Sequence, residues 1–162
     1  DHTVPEASII IEYVALHYPG RVELMPKDPD LARQVRFRDR FFDLYVAVPM
    51  QKIVTDRIRP AGKYDPHGVE EARTLLKTAL DVVDAETDGR AWAMGAQFSM
   101  ADCAAAPALS YANRVMPFAE THRNAFAYLE RLRARPSFVR ALKDAAPYEK
   151  NFPTQYQTLP GV

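Results

Sequence analysis

The run Phe98-Ser99-Met100-Ala101-Asp102-Cys103 constrains the fold more than any other part of the chain. Ser99 is placed to cap a helix N-terminus, and Asp102, three residues on, can accept a hydrogen bond from the Ser99 amide. That is a capping box with aspartate in the usual glutamate slot. Phe98 before the cap and Cys103 after it stand where a hydrophobic staple sets the entry angle of a helix. Ala101, Ala104, Ala105, Ala106 and Ala108 follow. A helix so rich in alanine is slim, neighbours can approach it closely, and its place is the centre of a bundle. Asp102 also admits a reading as a catalytic acid; capping is the simpler one.

The rest of the chain reads as further helices. Over 6–18, Ile9, Ile10, Tyr13, Val14 and Leu16 recur near a 3.6-residue period, and Pro19-Gly20 ends the pattern. Pro19, Pro26 and Pro29 then break up a linker. A helix alone before a linker needs a partner surface for its apolar face. With a chain that opens at Asp1 rather than Met, this suggests a truncated domain. Asp30 is placed to cap a second helix reaching about residue 59, roughly 43 Å long, with a kink expected at Pro49. A third helix is expected over 68–88, with Val69, Leu75, Leu76, Leu80 and Val83 inward. A fourth begins at Ser99, a fifth covers about 121–133, and a sixth begins at Pro136 with Phe138, Val139 and Leu142 inward. No stretch alternates with period two, so no strand is expected. The expected fold is all-α, a bundle of about six helices. Residues 1–18 form the leading helix, 19–29 a linker, 30–146 the helical domain and 147–162 an extended tail.

Several function classes are disfavoured at once. Lys plus Arg number 21 and so do Asp plus Glu, which leaves no basic face for nucleic acid and no polybasic membrane anchor. The stripe Arg131, Arg133, Arg135 and Arg140 is interrupted by Glu130 and Asp144 and reads as a solvated face. No apolar run approaches the ~18 residues of a membrane span, and no signal-peptide pattern opens the chain. The single cysteine, Cys103, has no internal disulfide partner, which points to a reducing, cytoplasmic setting. Cys103 could form a mixed disulfide; a small buried hydrophobe is the plainer reading. His2, His17, His67 and His122 lack metal-ligand spacing, so no metal is expected. There is no Gly-rich phosphate loop and no serine triad, since Ser99 is committed to the cap.

The stretch Gly95-Ala96-Gln97-Phe98-Ser99-Met100-Ala101-Asp102 resembles the Gly-x-x-(apolar)-Ser/Thr-x-Ala-Asp signature of the cytosolic glutathione transferases. In that family it opens the buried core helix of the C-terminal, all-helical domain. Residues 6–13, Glu6-Ala7-Ser8-Ile9-Ile10-Ile11-Glu12-Tyr13, resemble the Glu-Ser-x-x-Ile-x-x-Tyr pattern of the last helix in the family's thioredoxin-like domain. Residues 19–30 resemble the interdomain linker, and Arg135-Pro136-Ser137-Phe138 the start of a late helix. The likeness runs from about residue 4 to 153.

This resemblance implies a glutathione site near Glu6, Ala7 and Asp39, with glutathione as the co-substrate. Ala7 departs from the family serine that contacts the γ-glutamyl carboxylate, and Ser8 is expected to point elsewhere. Backbone amides at the helix start can still hold a carboxylate. Asp39 falls where some members reach across a dimer to the amino group of glutathione; the alternative is a solvated partner of the neighbouring arginines. Tyr45, Pro49, Tyr111 and Met116 fall on helices that line the electrophile pocket, with Met50 another candidate, though aromatic and Met residues at helical spacing also serve as plain core. The family's thiol-activating Tyr, Ser or Cys lies about 70 residues upstream of Glu6, so this chain holds no catalytic residue. The implied whole is a homodimeric detoxifying transferase acting on small electrophiles. A non-catalytic assembly module of the same helical type is the alternative, mildly favoured by Ala7. An unrelated helical regulator with a ligand cavity would account for the bundle but not for residues 6–30.

Overall fold

The structure, a computed structural model, describes residues 3–153. Among these it is all-α, with seven α-helices in six rods and no strand beyond an isolated Trp92–Gly95 bridge. The helices are α1 (Ala7–His17), α2 (Pro29–Phe41), α3 (Val48–Asp56), α4 (Pro66–Thr87), α5 (Met100–Val115), α6 (Arg123–Arg133) and α7 (Pro136–Ala145).

The alanine helix is the axis. In α5, Ala101, Ala105, Leu109 and Ala112 are fully buried, and α2, α3 and α6 all pack against it. Its capping box is formed, the Ser99 amide donating to Asp102 Oδ2 at 2.8 Å. The linker also reaches this end, where the Met100 amide donates to the Leu24 carbonyl at 2.9 Å. Asp102 does more than cap. Its Oδ1 accepts from the Ala93 amide at 2.8 Å and from the Tyr128 hydroxyl at 2.6 Å, tying α5 to the preceding loop and to α6. Gly95, at φ 105, permits the tight reversal that brings Ala93 there. Tyr128 is fully buried, and burial above all, with the Asp102 carboxylate beside it, pushes its phenol well above the ordinary range.

Other helix starts are fixed by aspartates. Asp28, rather than Asp30, caps α2, accepting from the Leu31 amide at 2.8 Å, because Pro29 takes the first helical position. Asp65 accepts from the Gly68 amide at 2.9 Å and so starts α4 before residue 68. Asp84 in α4 accepts from the Asn124 and Ala125 amides, capping α6 from across the bundle.

The expected long second helix is present as one rod but not as one α-helix. A π-helical turn, Phe42–Ala47, joins α2 to α3. Pro49 has no amide and its ring crowds the carbonyl four residues back, so the distortion falls in the turn before it rather than at it. The Val48 amide reaches the Asp43 carbonyl, five residues back. Two inward assignments are corrected: Leu75 is 60% exposed and Val139 51% exposed, because one side of each helix faces away from the bundle. The expected extended tail begins instead as a 3-10 helix, Ala146–Asn151. Residues 154–162 of that tail lie outside the described part.

Helix α1 sits at one edge with Ile9, Ile10, Val14 and Leu16 exposed, and only Ile11 packs toward the core. Its hold on the body is polar. Arg36 grips Glu12 through two bonds of 2.8 Å, which hold the Glu12 carboxyl below its usual range.

Candidate ligand cleft

The N-terminus of α1, the π turn and the α5 axis leave between them an open cleft of ≈ 230 Å³. One end is polar. Ser8 is buried, and its hydroxyl donates to Asp39 Oδ2 at 2.7 Å, contrary to the expectation that it points elsewhere. Asp39 is 4% exposed, so the reading of it as a solvated surface group is corrected as well. Arg40 spans the cluster, donating to Ser8 Oγ at 3.3 Å and Asp43 Oδ2 at 2.8 Å. Glu6 stands at the same end. Asp39 and Asp43 therefore share one guanidinium, with the Glu6 carboxylate at the same end. The Asp43 carboxyl is raised, first by burial and then by repulsion from Asp39 and Glu6, with Arg40 opposing.

The other end is apolar. Ala104, Pro107, Ala108 and Tyr111 present one side of α5, and Ile11, Ala47 and Met50 face them. Pro107 has no amide to offer the Cys103 carbonyl four residues earlier, so the helix wall carries a backbone acceptor without its usual donor. Cys103 borders the cleft as well, with its thiol pushed up to about 11, chiefly by burial and then by Asp102. A thiol so raised is almost wholly protonated at neutral pH and is a poor nucleophile.

Glu6 precedes α1 at φ 68, in a region that non-glycine residues rarely occupy. No side chain caps α1, so its first-turn amides lack a side-chain acceptor, and Ala7 and Ser8 of that turn line the cleft's polar end. Those amides and the positive end of the helix dipole suit an anion, while the carboxylates beside them suit an ammonium group. The arrangement is matched to a small zwitterion with an apolar companion. Among the described residues no group of three or more His, Cys, Asp or Glu is placed to hold a metal.

Of the residues singled out from sequence, the cleft brings together Glu6, Ala7, Asp39, Met50 and Tyr111. Tyr45 lies outside it, 55% exposed and against Phe41 with ring centroids 5.5 Å apart. Pro49 is buried in the first turn of α3, and Met116 is half-buried at the C-cap of α5. Ser8, Arg40 and Asp43 were not foreseen. The three-residue spacing of Arg40 and Asp43 was a visible signal for their pairing, whereas the 31-residue separation of Ser8 and Asp39 left none.

The fold defines the class: an all-α bundle of the glutathione-transferase helical type, built round a capped core helix. Residues 66–148 match the model of the glutathione S-transferase C-terminal domain. The chain belongs to the glutathione S-transferase family, whose C-terminal domain it contains. A glutathione S-transferase-like protein of a Fusarium species is 31% identical over 109 residues, which cover 67% of this chain. That match spans only 49% of the relative, so the chain corresponds to about half of its length. A glutathione S-transferase of Methylobacterium radiotolerans, solved in complex with glutathione sulfonate, is 25% identical with a TM-score of 0.73, covering 85% of this chain and 65% of that one. A glutathione transferase of Phanerochaete chrysosporium in complex with oxidized glutathione shares the fold at 18% identity, with a TM-score of 0.78 over 91% of this chain and 69% of that one. No described helix is long and apolar enough to cross a membrane.

Proposed function

We propose that this chain is the substrate-walling part of a glutathione transferase whose thiol-activating residue lies in a thioredoxin-like domain upstream. In this reading residues 1–18 are the last helix of that domain, 19–29 the linker, 30–146 the helical domain and 147–162 the tail. The observation that carries the reading is the composite cleft. The uncapped start of α1 and the Asp39 carboxylate form one end, and the apolar wall of α5 forms the other. Glutathione's γ-glutamyl carboxylate would meet the α1 amides and its ammonium would meet Asp39 and Glu6. The apolar end would hold a small electrophile, with Tyr111 on the wall.

The chemistry is nucleophilic attack by a thiolate, whose formation needs a hydrogen-bond donor that lowers the thiol's pKa. Cys103, raised to about 11, does not supply that nucleophile. The exposed apolar face of α1, with Leu16 76% and Ile9 52% exposed, supports a missing partner surface. The outward residues Phe37, Leu44, Val48 and Leu75 support a homodimer through α2, α3 and α4. The single cysteine fits a cytoplasmic location.

The protein carrying its upstream residues is expected to be retained on immobilised glutathione and to conjugate glutathione to 1-chloro-2,4-dinitrobenzene. Flow-through combined with no conjugation at any concentration would refute the enzyme reading and leave an assembly module.

A further inference from the structure

Tyr111 lines the apolar end of the cleft and is 38% exposed. A ring on two rotatable bonds at so open a wall can take several staggered orientations unless a neighbour backs it. Backing comes from a segment beyond α7. Phe152 stacks on Tyr111, with ring centroids 5.5 Å apart and planes 29° from parallel. An offset pair of this kind favours one orientation of a ring by roughly two- to tenfold.

Phe152 is in turn held in place. Its amide donates to the Glu149 carbonyl at 3.0 Å, which closes the 3-10 helix Ala146–Asn151. The Glu149 carboxylate pairs with Arg114 of α5, whose Nη1 donates to Oε2 at 3.1 Å. The Arg114 guanidinium lies 4.1 Å from the centre of the Phe152 ring and 5.8 Å from that of Tyr111. Arg114 stands three residues after Tyr111, so the two side chains are neighbours on one helix face. The Arg114 side chain is only 4% exposed, and removing its carboxylate partner would strand a buried charge. The ion pair therefore pins the segment after α7 against the part of α5 that carries Tyr111. The polar end of the cleft is built separately, from Ser8, Asp39 and Arg40.

We propose that Phe152, anchored by the Arg114–Glu149 pair, is a positioning residue for the apolar half of the cleft. It aligns the Tyr111 ring, and through that ring it sets the fit of the apolar electrophile while leaving the fit of glutathione alone. The consequence for substrate rests on the transferase reading; the alignment of Tyr111 does not.

Two readouts test it. The first is fluorine NMR of the full chain labelled with 3-fluorotyrosine, the Tyr111 signal being the one lost in Tyr111→Phe. Phe152→Leu and Glu149→Gln are each expected to move that signal, and a signal left in place by either would overturn the proposal. The second is kinetic, in the longer protein proposed above. Phe152→Leu should raise KM for 1-chloro-2,4-dinitrobenzene roughly threefold or more, as the loss of such a stack would, with KM for glutathione unchanged. Phe152→Tyr, which keeps the ring, should restore the parent value. Equal rises in both constants, no rise in either, or no rescue by tyrosine would overturn the proposal. Should the longer protein conjugate nothing at all, the transferase reading falls, and the fluorine signal alone decides whether Phe152 aligns Tyr111.

Discussion

Replacing Asp102 by alanine tests the polar hub at the start of the core helix. The carboxylate is fully buried and accepts from the Ser99 amide, the Ala93 amide and the Tyr128 hydroxyl at 2.8, 2.8 and 2.6 Å. The Ser99 hydroxyl also donates to it, at 3.1 Å, but can rotate to another acceptor. Alanine leaves three fixed donors unserved in a dry site. At about 1–3 kcal/mol for each orphaned buried group, the loss is roughly 3–9 kcal/mol. That is a large fraction of the ~5–15 kcal/mol by which a domain is stable. At ~2–4 °C per kcal/mol the thermal midpoint should fall by at least about 6 °C. Tyr128→Phe removes one donor and keeps the acceptor, so it should cost only about 1–2 kcal/mol. Combining the two changes is informative. With the Tyr128 hydroxyl already gone, Asp102→Ala orphans one group fewer, and the double variant should lose about 1 kcal/mol less than the sum of the singles. Urea denaturation followed by circular dichroism at 222 nm measures all four proteins. A loss below about 1 kcal/mol for Asp102→Ala, or strict additivity, would refute the account of Asp102 as a shared acceptor.

Two further outcomes follow from α1. The Glu12 carboxyl is held below its usual range, first by the Arg36 hydrogen bonds. A lowered acid stabilises the fold fully above its unfolded value, and the contribution is lost as pH falls through the folded value. Arg36→Met should therefore lower stability near neutrality by less than about 1 kcal/mol, this being a partly exposed pair. Its thermal midpoint should converge with the parent's as the solution is acidified through the carboxylate range; a gap that widened in acid would contradict this. Ile10 is 44% exposed in this chain. Ile10→Ser should shift stability here by no more than about 0.5 kcal/mol, as a surface change does. In the longer protein proposed above, with a thioredoxin-like domain before α1, the same change should cost about 2 kcal/mol or more, as for a core aliphatic, and equal small costs in both would argue that nothing packs on that face.

Local chemistry was enough for much of the architecture. The capping box, the alanine run and the proline breaks each act within a few residues, and hydrogen bonds and sterics at that range depend little on the rest of the chain. They foretold the start of α5 at Ser99, its central place and the all-α class. Other features needed the folded neighbourhood. Asp28 and Asp30 are both plausible caps, and Pro29 decides between them only once the chain is committed to its first turn. Leu75 and Val139 are as apolar as their buried neighbours, so only packing tells which side faces out. The π turn reflects proline strain spread over residues that look helical one by one.

The cleft divides in the same way. Of its apolar wall the sequence pointed to Met50 and Tyr111, whereas Ala104 and Ala108 read as packing positions and only the fold shows that they and Pro107 line a cleft. Its polar end was not legible, because the Ser8–Asp39 bond joins helices 31 residues apart. Burial then turned Asp39 from a surface acid into a fixed acceptor. Short-range rules determine which segments coil and where they stop, while solvent exclusion, which belongs to no single segment, decides what each side chain is for.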